Sequence, residues 1–257
     1  MRSRAKTHDS SAIESDRPIR DEVETKRFCS VRASEFAFSE TLRQDWECLR
    51  SAWGDLEFDR YYGGDNANYR ERRYSVFSFA PSTGTLAPGV QTPYLQSSEM
   101  NSYVGGIARR FGAVPRKTYE NPFFFELVRF SFEQFPIPEE FANQPWDCQV
   151  HQIRITVGPG ETTAITPEGI HSDGYPFASV HLVDRESVDG AVSSVYTQDE
   201  RELARLTFEE PLDSLFFEDR ALKHYVTPMH GTGRGPCYRS ILAISFSLAD
   251  SPFATTV

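Results

Sequence analysis

His171, Asp173 and His224 are the residues of this chain best suited to act together on one reactant. Two imidazoles and one carboxylate can occupy one triangular face of an octahedral metal ion, leaving the opposite positions open. The His-x-Asp pair suits an extended segment, because residues i and i+2 project to the same side and can reach one ion. His224 follows Asp173 by fifty-one positions (224 − 173), room for several strands that return to the same pocket. Arg239 comes fifteen positions later (239 − 224) and opens the apolar run Arg239-Ser-Ile-Leu-Ala-Ile-Ser-Phe246. Imidazole and carboxylate suit Fe(II), but also Zn(II), Mn(II) and Ni(II), so the triad alone does not name the metal. A single His-x-Asp is weak; the ordered set with His and Arg is much stronger.

The segments around these residues are Pro167-Glu-Gly-Ile-His-Ser-Asp-Gly174, Pro211-Leu-Asp-Ser-Leu-Phe-Phe-Glu-Asp-Arg220, His224-Tyr-Val-Thr-Pro228 and Tyr238-Arg-Ser-Ile-Leu242. With His151-Gln-Ile-Arg154, Asn121-Pro122, Val128-Arg-Phe130 and Arg70-Glu-Arg-Arg-Tyr74 upstream, they resemble the bacterial 2-oxoglutarate/Fe(II) dioxygenases that hydroxylate free amino acids. That group contains L-isoleucine 4-hydroxylase, and the resemblance runs from about residue 65 to residue 248. It implies Fe(II) held by His171, Asp173 and His224, with 2-oxoglutarate as cosubstrate and O2 as oxidant. It also implies that Arg239 fixes the far carboxylate of 2-oxoglutarate, which leaves as succinate and CO2 while an unactivated C–H bond is oxidised. The implied substrate is a free L-amino acid or a close analogue. Two rivals stay open: the same cofactors used for desaturation or ring closure, and a cupin-like metal-binding protein without turnover.

Arg239 shares a strand face with Ile241, Ala243 and Ser245, a small set that fits a barrel interior, while Leu242, Ile244 and Phe246 form the opposite face. A cation placed inward needs a carboxylate partner, because an unpaired buried charge is very costly. Guanidinium grips such a group through two parallel hydrogen bonds that lysine does not reproduce. Gln152 and Arg154 share one face of the first core strand; Gln152 is assigned to cosubstrate and Arg154 to substrate, with a structural hydrogen-bond network as the competing reading. Arg70, Arg72 and Tyr74 share another strand face. They are candidates for holding a substrate α-carboxylate, set against an ordinary charged edge strand. Tyr175 and Phe217, together with Phe177, flank the metal segments and could shape an apolar pocket, although alternating aromatics are more often core. His181 reads as a satisfied core residue, and neither His8 nor His230 is a ligand candidate.

The rest of the chain must position this set. Residues 1–26 are charged and read as a tail; 27–257 read as one domain, with a helical and strand layer (27–146) ahead of a core (147–250). Leu42, Trp46, Leu49 and Trp53 recur at helical spacing behind Ser39, a credible N-cap, and a second helix is expected from Pro122 to Phe135. Gly63-Gly64 punctuates the stretch between them. From Asp147 the period becomes two, beginning with His151, Ile153, Ile155 and Val157. Strands are expected at 177–183, 191–196, 214–217, 222–226 and 238–248. Strands joined without intervening helices indicate a mainly β fold with flanking helices (α+β), and the resemblance implies a double-stranded β-helix, the jelly-roll of cupins.

A net charge of −10 argues against a nucleic-acid partner, and no apolar run approaches a membrane span. Cys29, Cys48, Cys148 and Cys237 are scattered and read as reduced, buried thiols of a cytoplasmic protein. The expected partner is a small molecule, and the sequence leaves room for a homodimer.

Overall fold

The computed structural model describes residues 12–62 and 69–255; Gly63-Gly64 and His8 lie outside the described residues. Nine strands carry the architecture: β1 (Phe28–Val31), β2 (Arg70–Ala80), β3 (Trp146–Thr156), β4 (Phe177–Glu186), β5 (Val192–Tyr196), β6 (Glu202–Thr207), β7 (Ser214–Phe217), β8 (Lys223–Val226) and β9 (Tyr238–Ser247). The main sheet is antiparallel in the order β1-β7-β4-β9-β3-β2, with Glu57–Phe58 and Thr85–Pro88 both paired to β2. A smaller sheet, β6-β5-β8, faces it, and both sheets line one cavity. The core is a double-stranded β-helix.

Period-two patterning divides the main sheet cleanly. On β9, Leu242, Ile244 and Phe246 pack under the helices, while Arg239, Ile241, Ala243 and Ser245 line the cavity. The helical side is rich in aromatics. Phe132 meets Trp146 and Phe246 edge-on at 5.4 and 5.3 Å, and Phe135 stacks on Phe177 at 4.9 Å. Phe177 thus belongs to the helix-side core.

The three longest helices cover that side: α1 (Ile19–Lys26), α2 (Glu40–Arg50) and α3 (Pro122–Glu133). Ser39 caps α2 by accepting from the Leu42 amide at 3.3 Å, and Leu42, Trp46 and Leu49 face inward. Asn121 caps α3 in the same way through the Phe124 amide at 3.1 Å, with Pro122 at the first helical position.

Two expectations are corrected here. Residues 12–26 of the segment expected to be a charged tail are folded against the domain. Glu14–Ser15 pairs with Phe36–Ala37, and α1 docks on β1 and β7 through buried Ile19 and Val23. Two apolar residues one turn apart suffice to anchor this helix, and the charges around them face outward. All four cysteines are free thiols, but Cys48 is exposed on the outer face of α2. No helix among the described residues is long and apolar enough to cross a membrane.

Candidate active site

The three expected ligand residues converge. His171 and Asp173 sit on the turn leading into β4, and His224 sits on β8. The backbones of the two histidines form a single antiparallel bridge, His171 N–H to His224 O at 3.1 Å and the reverse at 2.7 Å. That pairing brings their rings to 4.3 Å between centroids. The Nε2 atoms of His171 and His224 lie 3.7 and 3.8 Å from the two oxygens of Asp173. One ligand atom from each residue lies within 4.8 Å of the others, so a single ion can collect all three.

Neighbouring groups fix the orientation of each ligand. His171 Nδ1 is 2.9 Å from the Gly169 carbonyl, which can only accept, so the proton is on Nδ1 and the Nε2 lone pair is free. Gly169 itself is left-handed (φ 84°), and its backbone turn presents that carbonyl. His224 Nδ1 lies 3.4 Å from Asp219 Oδ1, a charge contact without full hydrogen-bond alignment. Asp219 is completely buried and also accepts the backbone amides of Asp173 at 3.1 Å and Tyr175 at 2.9 Å. Gln96 donates to Asp173 Oδ1 at 2.7 Å, and the Gln96 carbonyl oxygen is held in turn by Arg109 and Asn101. Burial raises the Asp173 carboxyl, but His224, His171, Arg72 and the Gln96 hydrogen bond outweigh it and hold it below the usual range.

Arg239 points into the same cavity and is 4% exposed. Its cross-strand neighbours are Ile155 on β3 and Arg185 on β4. Nε has no hydrogen-bond partner, and no carboxylate among the described residues pairs with the guanidinium. Burial, with Arg185 adding, pushes the group down to about 10. A buried cation in this state lacks an anion, and the far carboxylate of 2-oxoglutarate has the charge and the fork geometry to supply it.

A second basic group lines the cavity from β2. Arg70 and Arg72 approach Asp59 Oδ2 at 3.4 and 3.9 Å, and Arg109 joins them from the loop between Thr85–Pro88 and α3. Arg72 donates to His151 Nδ1 at 2.7 Å. A guanidinium only donates, so the His151 proton is on Nε2. Burial and then Arg72, Arg109 and Arg70 keep this imidazole neutral, its pKa well below the ordinary value.

The remaining expected site residues are placed as follows. Phe217 lines the cavity and meets the His224 ring edge-on at 5.4 Å. Tyr74 stacks behind His151 at 4.6 Å, and its hydroxyl donates to Gln149 at 2.7 Å. Tyr175 also donates to Gln149, so both tyrosines back the pocket wall rather than line it. Gln152 and Arg154 lie on the opposite face from the cavity, which corrects the expected inward orientation. His151, Ile153 and Ile155 take the inward positions on β3, and a one-residue offset turns a strand face over. Gln152 is fully buried under the helices with both amide atoms unpartnered, and Arg154 bonds Ser240 at 3.1 Å over the Tyr238 ring. His181 bonds Ser214 at 2.7 Å and Ser179 at 3.0 Å in the core. His230 is a strand residue beside Thr162, 2.7 Å from its hydroxyl.

The sequence reading did not single out Asp59, Gln96, Arg109, His151, Glu168 or Asp219. His151, Glu168 and Asp219 lie inside the segments quoted above, so attention to unassigned polar residues there could have found them. Gln96 and Arg109 sit in irregular chain that carries no periodic signal.

A family model described as 2OG-Fe dioxygenase matches residues 50–245, and the chain belongs to that family. Its members use Fe(II), 2-oxoglutarate and O2, and the His-Asp-His set and the unpaired Arg239 fit those groups. Among solved structures, IDO from Bacillus thuringiensis is 21% identical with a TM-score of 0.74, over 92% of this chain and 98% of that one. A bsmA homolog from Methylobium petroleophilum PM1 is 24% identical with a TM-score of 0.74, over 88% and 90%. The Fe(II)/α-ketoglutarate-dependent dioxygenase TqaL is 18% identical with a TM-score of 0.66, over 92% and 90%. At such identities the likeness is one of fold. No curated protein sequence matches the chain.

Proposed function

We propose that this dioxygenase hydroxylates an unactivated C–H bond of a free L-amino acid or a close analogue. The observation that carries the reading is the presence of two separate basic groups on one cavity. Arg239 and Arg70 flank the same residue, Ile155, from opposite neighbouring strands, so their backbones stand two strand spacings apart, about 10 Å. One suits the cosubstrate; the other, Arg70 with Arg72, suits a second small carboxylate.

With Fe(II), 2-oxoglutarate and O2 bound, the family's chemistry couples loss of CO2 from the cosubstrate, giving succinate, to oxidation of a C–H bond. The residues supply position. Arg239 fixes the cosubstrate's far end through a bidentate grip. Asp173, held by Gln96, keeps one ligand position anionic. Arg72 presents a cation over Tyr94 and Phe111, at 4.9 and 4.6 Å, where it can orient a substrate carboxylate. His151 offers an Nε2–H donor from the wall beside it. Which carbon is oxidised follows from which C–H this clamp holds nearest the metal.

The test is succinate formation with Fe(II), ascorbate and 2-oxoglutarate across a panel of free amino acids, with products read by mass. Gain of one oxygen supports hydroxylation, whereas loss of two hydrogens transfers the reading to desaturation or ring closure. Stimulation by N-capped or peptide substrates alone overturns the free amino acid assignment.

A further inference from the structure

Glu168 lines the cavity on the loop just ahead of His171, with its side chain 5% exposed. Oε2 has no partner, and Oε1 has one donor, the Tyr62 hydroxyl at 3.4 Å. Oε1 also lies 3.5 Å from His171 Nε2, but that nitrogen carries a lone pair, since Nδ1 holds the proton for Gly169. That contact is therefore not a hydrogen bond, and it leaves Nε2 free for a metal.

The loop is pinned on three sides. Arg70 donates to the Ile165 carbonyl at 3.0 Å, Thr166 to the Val226 carbonyl at 3.1 Å, and Ser102 to the Glu168 carbonyl at 3.3 Å. A carboxylate fixed in this way, buried and with an empty acceptor, is costly unless a cationic donor completes it. No arginine of the cluster is within ion-pair distance of it, and Arg70 is engaged with Asp59 at 3.4 Å.

We infer that Glu168 receives the α-ammonium group of the substrate, so that the cavity selects zwitterionic primary amino acids over acids lacking a free amine. This rests on the amino acid reading proposed above. Arg72 and Glu168 then form the two charged ends of one receptor, with the substrate side chain left to pack against the metal-facing wall. An amine-free acid would leave Glu168 buried and unpartnered, which is the energetic basis of the discrimination.

The experiment is anaerobic isothermal titration of the metal- and 2-oxoglutarate-loaded protein with L-isoleucine, L-leucine, L-methionine and L-glutamate. Each is measured beside its N-acetyl derivative, for the wild type and for Glu168→Gln. The expected result is a loss of free amino acid affinity of roughly ten- to a hundred-fold in Glu168→Gln. N-acetyl binding, 2-oxoglutarate affinity and metal content should not change. Equal amino acid affinity in both proteins overturns the Glu168 assignment alone. A parallel loss of the free and N-acetyl forms also overturns it, by showing that Glu168 only shapes the cavity. A wild type that binds none of the free amino acids overturns the substrate class and the ammonium site together. Should Glu168→Gln fail to fold, Glu168→Asp, which keeps the charge and shortens its reach, must still weaken the free forms selectively.

Discussion

The buried carboxylate of Asp219 joins His224 to the turn that carries the other two ligand residues. It stands 3.4 Å from His224 Nδ1 and takes the Asp173 and Tyr175 amides at 3.1 and 2.9 Å. This side chain thus braces β8 against the His-x-Asp turn, beside the His171–His224 backbone bridge. Asp219→Ala is expected to fold and to lose metal affinity by about 10–100-fold, as supporting partners of ligand histidines typically do. Chelator competition measures this; unchanged affinity would show that the backbone bridge alone aligns the ligands.

Arg239→Lys keeps the charge and loses the fork. The KM for 2-oxoglutarate should rise roughly ten- to a hundred-fold, the equivalent of about 1.5–3 kcal/mol for a charge-assisted bond. The KM for the amino acid, measured at saturating cosubstrate, should move little. Equal rises in both would sink the separation of the two basic groups.

His181 supplies a pH dependence of folding independent of the metal. Burial pushes its pKa down to about 3, from an ordinary value of 6.5. Between these values the unfolded chain binds a proton that the folded chain refuses, so stability rises with pH through this window. The contribution is complete above pH 6.5 and is lost as pH falls toward 3, by about 1.4 kcal/mol per unit. His181→Gln should flatten the acid limb of urea midpoints relative to wild type; parallel curves would refute the assignment.

Gln152 tests the corrected orientation of β3. Its buried, unpartnered amide serves no ligand, so Gln152→Met should leave the 2-oxoglutarate KM unchanged. Relieving unsatisfied polar atoms should raise stability by about 1–3 kcal/mol. A large rise in that KM would return Gln152 to the cavity.

The mainly β pattern, the His-x-Asp pair and the inward face of β9 were legible because each rests on short-range pattern: period two, an i, i+2 pair, and one cation among small residues. The double-stranded β-helix and the joining of His224 to that pair rested on the resemblance of the surrounding segments. The face of β3 was misread for a related reason. His151 alternates with polar Gln152 and Arg154, and Gln152 is as buried as the inward His151, so polarity does not tell inside from outside. Helix α1 was hidden because Ile19 and Val23 are diluted by six charged or polar neighbours within Ile19–Lys26. The Gln96–Arg109 support of Asp173 was invisible, since only the folded loop brings residues 96, 109 and 173 together.

Arg239 lies beside Arg185 with no carboxylate of the described chain to neutralise it. A grip of this kind recognises the distal carboxylate and ignores what happens at the other end of the molecule. With Arg239 in its proposed role, succinate, which retains that carboxylate after turnover, would compete with fresh cosubstrate for the same guanidinium. That role predicts product inhibition, with succinate raising the apparent KM for 2-oxoglutarate and leaving the maximal rate unchanged.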